Sequence, residues 1–362
     1  MSAGMRLEID LGRLAGNWQR LAALASPAEC AAAVKADAYG IGIEQAVTCL
    51  SDAGCRTFFV ALPDVVVRVR RILPDAAIYI LNGFFSDATG LYREHALRPV
   101  LGNAAELSVW QNWHRDEPAA LHVDTGMNRL GLAAEDAALL DEAALKACGI
   151  DLVMSHLACA DEPDHPLNGV QLDRFRALAG RLAGIRSSLA NSAGLHHGPD
   201  WHFQMVRPGI ALYGGASHPD AISDPVVCAR ARILQVRNVA RGESIGYGAT
   251  LTVGRDSRIA IVSAGYADGY LRAAASGGGK GACLSIGGHR APLAGRVSMD
   301  LIAADVTDLP DQAVEDNEWA ELFGDTIDIN EIAACSGTIA YELLTGLSRR
   351  AERTYIGQKE IS

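Results

Sequence analysis

Five short apolar runs in this sequence end in residues that can bind or move charge. Residues 31–40 read AAAVKADAYG and bring Lys35; HVDTGMNRLG brings Arg129; DLVMSH ends in His156; SSLANSAG carries Asn191 and Ser192; VRPGI carries Arg207, Gly209 and Ile210. A lysine closing an apolar run has two readings. It is the charge met as the chain leaves the core, or it is an amine at the mouth of a packed core, its pKa lowered by desolvation so that it can act as a base or attack a carbonyl. Taken alone, His156 is a hydrogen-bonded strand-end residue and Arg207 a surface charge or ion pair. Taken together, the set suits a phosphate and an aromatic heterocycle better than a metal. Ser-Ala-Gly and Arg-Pro-Gly-Ile are small-residue turns whose N–H groups can approach a phosphate closely, and the carboxylate and histidine spacing of a zinc site is missing.

The elements that must hold these residues follow from hydrophobic patterning. Eight runs read as strands (AAAVKA, TFFVAL, AIYILNG, LRPVLG, ALHVD, DLVMSH, SSLAN and FQMVRPG). They alternate with helix-like pieces such as IEQAVTCLSDAG, NAAELSVWQNW, AAEDAALLDEAALKACG and GVQLDRFRALAGRLAG. That count predicts an α/β fold, an N-terminal (β/α)8 TIM-type barrel over residues 1–225, although a doubly wound open sheet would give a similar pattern. In a barrel the functional residues gather at the C-terminal ends of the strands, with phosphate held after strands seven and eight. A lysine able to condense with an aldehyde beside such a phosphate nest suggests pyridoxal 5′-phosphate.

After about residue 225 the pattern changes to strand-like runs with little helix between them: VCARARILQVRNVA, SRIAIVSAG, GACLSIGGHRAPLAG and LIAADVTD. Residues 226–362 therefore read as a mostly antiparallel C-terminal β domain, closed by helical pieces at NEIAACSG and IAYELLTGL, with the first few residues of the chain as candidates to pair with it. The run SGGGK at 276–280 reads as a hairpin loop; it lacks the spacing of a nucleotide P-loop. With 32 basic against 43 acidic residues and a net charge of -11, the chain offers no evident basic surface for nucleic acid. No apolar run approaches membrane-spanning length, and no secretory leader is visible, so the expected compartment is the cytoplasm. Eight singly scattered cysteines fit reduced thiols in small core spaces.

Nine segments (AVKADAYGIG, HVDTGMNRLG, SHLACADE, LANSAGL, VRPGIALYGG, IGYGAT, GYADGYLR, GRVSMD and TIAYELLTGLSRR) closely resemble, in order and over nearly the whole chain, the successive motifs of the alanine racemases, the fold-type III pyridoxal-phosphate family. The resemblance implies a PLP-dependent isomerase interconverting L- and D-alanine, for cell-wall D-alanine supply or for alanine catabolism. It also implies a homodimer in which each active site joins one barrel to the partner's β domain. Lys35 matches the lysine that binds the cofactor covalently. Tyr39, Ser192, Tyr341 and the backbone of Gly209 and Ile210 match the phosphate-binding positions, with Asn191 beside them. His156 matches the histidine near the pyridine ring, bonded to the arginine represented by Arg207. That arginine would leave the pyridine nitrogen unprotonated and so weaken the electron sink.

Racemisation needs a base on each face of Cα. Lys35 matches one, acting on the D-enantiomer; Tyr247, from the partner subunit, matches the other, acting on the L-enantiomer. A tyrosine needs cationic surroundings to serve near neutrality, and Arg207 and His156 are the expected source. Met299 matches the partner residue whose N–H meets the substrate carboxylate, with Arg129 nearby. Asp161, Tyr266, Arg272 and Arg296 match residues along the substrate entrance. The chain departs from the family pattern at His122, where many members carry a carbamylated lysine that holds the arginine, and at Asn128, where glycine is commoner. The neighbouring readings are a serine or broad-range racemase of the same fold, a non-catalytic cofactor carrier, which would lack the β domain, and a decarboxylase, which Arg207 disfavours.

Overall fold

A computed structural model describes residues 4–114, 116–275, 281–315 and 318–357. The expected SGGGK hairpin at 276–280 lies outside the described residues. The chain divides into two compact units: Leu14–Leu212 with Ala216–Ser223, and Met1–Arg13 with Tyr213–Gly215 and Asp224–Ser362.

In the first unit all strand pairs are parallel, and their order returns to its start. The segment that begins the barrel pairs on both sides. Glu29–Cys30 lies beside Met205–Val206, and Ala32–Ala33 lies beside Thr57–Val60. Between them run Ala77–Ile80, Arg98–Leu101, Ala119–His122, Ile150–Met154 and Arg186–Ser188. The strand ring thus forms a barrel and excludes the open-sheet alternative. Strands such as Thr57–Val60 and Ala119–His122 are buried at every position, because helices cover one face and the barrel interior the other. The N-terminal end of the barrel is closed by polar groups. Arg98 bonds Asp151 at 2.5 Å and Tyr79 at 3.1 Å, and Arg186 bonds Glu29 at 2.9 Å. The chemistry-bearing residues occupy the opposite end.

The stretch AAEDAALLDEAALKACG forms two helices, Ala134–Ala138 and Glu142–Ala147. The break falls where the Asp141 carboxylate accepts a hydrogen bond from the Ala144 N–H, capping the second helix.

The second unit is built on the thirteen-residue strand Val227–Val239. Along its length it pairs antiparallel with Met5–Asp10, Trp319–Phe323 and Ser257–Val262, changing register at two irregularities. Met5–Asp10 also pairs parallel with Glu352–Ile356, so the first and last described strands are neighbours. Ile302–Asp305 extends the sheet beyond Ser257–Val262, and the hairpin Cys283–Ile286 with His289–Pro292 extends it at the other end.

Candidate functional site

Lys35 follows the first barrel strand after Val34, and the backbone after it is unusual. Ala36, Asp37, Ala38 and Tyr39 all have φ between 53° and 56°, a complete left-handed turn without glycine, before Gly40 at φ 86°. For L-residues this conformation costs about 1–2 kcal/mol each. Local bonds hold it: Ala38 N–H to Val34 O at 3.0 Å, Gly40 N–H to Ala36 O at 2.9 Å and Gly42 N–H to Asp37 O at 3.0 Å. The Asp37 carboxylate accepts from the Ile43 N–H and from Arg68. Lys35 itself remains open to solvent. Burial of its surroundings, then the Arg129 guanidinium, push its pKa below the ordinary lysine value, which favours the neutral, nucleophilic amine.

The turn brings Tyr39 against the last barrel loop. A side chain at Gly209 would collide with the Tyr39 hydroxyl, and its Cβ would lie 3.5 Å from that of Ala33. Buried Ser192 accepts the Gly209 N–H at 2.8 Å and the Ala211 N–H at 3.4 Å, which leaves its own hydrogen free to donate. Ile210 opens the 3-10 turn Ile210–Tyr213, so its amide is one of the unpaired first N–H groups of that turn. The Asn191 side chain accepts the Gly194 N–H at 2.9 Å and shapes the preceding turn. The Tyr39 and Ser192 hydroxyls and the Ile210 amide make a cradle suited to a phosphate, with Lys35 at the end of the adjoining strand.

Arg207 is 6% exposed, and none of its hydrogen bonds goes to a carboxylate. It donates to Ser188 Oγ, to Ser155 O at 2.6 Å and to Leu189 O at 3.4 Å. Burial pushes it down to about 9, so it stays charged near neutrality. No hydrogen bond between His156 and Arg207 is present among the described residues, in contrast to the expected pair. The guanidinium is taken up by Ser188 and Ser155 instead. Burial and Arg207 hold His156 well below the usual histidine range, and burial followed by Arg207 brings His122 down to about 4. Both imidazoles are therefore neutral at pH 7. His156 cannot supply the cationic surroundings expected for a tyrosine base; Arg207 is the member of the pair that carries charge.

Arg129 sits exposed on a loop held by one carboxylate. Asp124 accepts the N–H groups of Gly126, Met127 and Asn128 at 2.8, 2.9 and 2.9 Å. Asn128 has φ 56°, in the left-handed region where asparagine and glycine are the tolerated residues, which accounts for the exchange at this position. A contributor not visible from motifs is Gln171, buried within the helix Pro166–Arg181. Its side chain accepts from Ala158 N–H at 2.9 Å and donates to His156 O at 2.9 Å and Thr125 Oγ1 at 3.2 Å. It ties the Arg129 loop to the His156 loop. The signal was a glutamine on the helix's apolar stripe, in step with Leu172, Phe175 and Leu178. Asp161 is exposed on the loop after His156.

The second unit carries Tyr247, Tyr266, Arg272, Arg296, Met299 and Tyr341. Tyr247 is 73% exposed, Met299 53% and Tyr266 43%. The Arg296 guanidinium packs on Gly248, the residue after Tyr247, where an added Cβ would lie 3.0 Å from Nη1. The Tyr266 and Met299 loops are joined by Tyr266 N–H to Ser298 O at 3.1 Å and Ala267 N–H to Met299 O at 3.0 Å. Tyr341 lies in the helix Ala340–Thr345, and Arg272 is exposed at the start of the turn Arg272–Ala274.

Fold and site together define a β/α-barrel protein with a lysine and a phosphate-type cradle at the barrel mouth, continued in one chain by a β domain. The family model "Alanine racemase, N-terminal domain" matches residues 9–217 and "Alanine racemase, C-terminal domain" matches residues 226–355. The chain belongs to the alanine racemase family. It is 46% identical to alanine racemase from Rhizobium meliloti over 371 residues, covering 99% of this chain and 98% of that protein. To the biosynthetic alanine racemase of Agrobacterium fabrum it is 44% identical, covering 98% and 94%. Its structure is similar to that of alanine racemase from Bartonella henselae with covalently bound pyridoxal phosphate, at a TM-score of 0.90 and 35% identity, covering 98% and 100% of the two chains.

Proposed function

We propose that this protein is a pyridoxal-phosphate-dependent alanine racemase, interconverting L- and D-alanine with Lys35 and the partner subunit's Tyr247 as its two bases. The observation that carries the reading is the convergence, at one barrel mouth, of a lysine with a lowered pKa, the Tyr39–Ser192–Gly209 cradle and a buried arginine with no acidic partner. The residues fit the cofactor. Lys35 would hold it covalently, Tyr39, Ser192 and the Gly209–Ile210 turn its phosphate, and Arg207, buried with no carboxylate partner among the described residues, its ring nitrogen. When bound, pyridoxal phosphate supplies the electron sink that makes the Cα proton of alanine acidic.

The chain's own groups then move the proton. Tyr247 takes it from Cα of L-alanine, and Lys35 delivers one on the opposite face; the D-to-L direction runs in reverse. Arg129 and the Met299 amide orient the carboxylate, with Asp161, Tyr266, Arg272 and Arg296 along the entrance. The exposure of Tyr247, Tyr266, Met299, Leu301 and Ile339 on one unit suits a surface completed by a second copy, so we assign a homodimer with shared sites. Eight free cysteines fit a cytoplasmic protein, whose D-alanine would serve the cell wall or alanine catabolism.

The test is the loss of optical activity from L-alanine by the purified holoprotein, with L-serine in parallel; faster turnover of serine overturns the substrate assignment. Tyr247→Phe is expected to keep the cofactor's visible absorbance and lower racemisation by about 100-fold or more. It should still exchange the Cα hydrogen of D-alanine with solvent deuterium through Lys35. Undiminished racemisation in this variant would remove Tyr247 from the mechanism.

A further inference from the structure

Three loops of the second unit meet around one arginine. Arg350 Nε donates to Asp268 Oδ1 at 2.6 Å, and its Nη2 donates to Asp268 Oδ2 at 2.9 Å and to Asp300 Oδ1 at 2.7 Å. Asp268 is 5% exposed and closes the turn Tyr266–Asp268 by accepting the Gly265 N–H at 2.9 Å. Asp300 directly follows Met299. The loops also touch backbone to backbone. A Cβ at Gly265 would run into the Ser298 and Met299 carbonyls, and one at Gly269 into the Gly346 carbonyl. Ser348 N–H bonds Asp268 O at 3.0 Å. Glycine permits the close approach, and the planar fork of the guanidinium fixes its distance and angle in a way that a point charge would not.

We propose that Arg350 is a positioning residue that, by bridging Asp268 and Asp300, sets the spacing between the loops that present Tyr266 and the Met299 amide to the substrate. The functional half of this inference rests on the racemase reading above. A substrate carboxylate that must be met by the Met299 N–H within hydrogen-bond reach is sensitive to loop displacement of a fraction of an ångström, and the bridge supplies the restraint. The proton-moving groups lie elsewhere, so removing the bridge weakens substrate positioning more than chemistry.

The experiment compares wild type, Arg350→Ala and Arg350→Lys holoprotein by two readouts. In steady-state kinetics, Arg350→Ala is expected to raise KM for L-alanine about tenfold with kcat within about threefold, and Arg350→Lys to recover only part of the loss. In amide hydrogen exchange, Arg350→Ala is expected to speed exchange in residues 265–270 and 298–301 while the strands Ser257–Val262 and Ile302–Asp305 keep their protection. Unchanged exchange in both loops, unchanged KM, or full recovery by lysine overturns the proposal. Should Arg350→Ala not fold, Asp300→Asn at the exposed end cuts one arm only, with a KM rise of about threefold and faster exchange in residues 298–301 expected. No effect of it on either readout also overturns the bridge. Absence of racemisation in wild type would refute the function assigned above, while the exchange readout still decides the clamp.

Discussion

At the scale of single residues, the site is governed by one buried cation. Arg207 has only serine and carbonyl acceptors among the described residues, so its field falls on its neighbours, and His122, held neutral first by its own burial, is pushed further the same way by that field. With an unfolded-state pKa near 6.5 and a folded value of about 4, the native state refuses a proton that the unfolded chain accepts. The stability contributed is complete above about pH 6.5 and is lost as pH falls through the folded pKa, about 3 kcal/mol at the limit. Urea unfolding of His122→Gln should therefore show a shallower decline between pH 6.5 and 4.5 than wild type, by roughly 2 kcal/mol. Superimposable pH dependences would show that His122 titrates normally. Arg129 rides on a loop that Asp124 ties down through three amides and that the Leu132 N–H closes onto the His122 carbonyl at 2.7 Å, a backbone bond open to any residue at position 122.

At the scale of elements, the left-handed turn after Lys35 stores backbone strain next to the nucleophile. Ala36 is exposed and at φ 53°, so Ala36→Gly should relieve more strain than it adds in chain entropy and stabilise the protein by about 0.5–1 kcal/mol. Ala105→Gly, on the exposed face of the helix Ala104–Trp113, should instead destabilise it by about 1 kcal/mol. Destabilisation of equal size at both positions in thermal melts would show that the turn is not strained. This element was not legible beforehand, because Ala-Asp-Ala-Tyr carries no glycine or asparagine to signal positive φ; tertiary contacts of Asp37 and Tyr39 impose it. The eight barrel strands were legible, since burial on both faces leaves compact apolar runs. So were the residues ending them. The roles of Gln171 and Arg350 were not, as each is defined by partners on loops far away in sequence. Likewise, nothing local in Val227–Val239 reveals that one strand serves three neighbours.

At the scale of the whole molecule, Lys35 and Tyr247 belong to different compact units, and in the function proposed above each site takes Lys35 from one chain and Tyr247 from the partner. This distinguishes a racemase that works only as a dimer from a chain that is sufficient by itself, and it can be put to a direct test by complementation. Lys35→Ala and Tyr247→Phe are each expected to be inactive alone. Co-expressed with different affinity tags and purified as the mixed dimer, they form one site with both bases intact and one with neither. The mixed dimer should recover about half of the wild-type racemase activity per dimer, with D-alanine formed from L-alanine as the readout. A mixed dimer as inactive as its parents would contradict the shared two-base site.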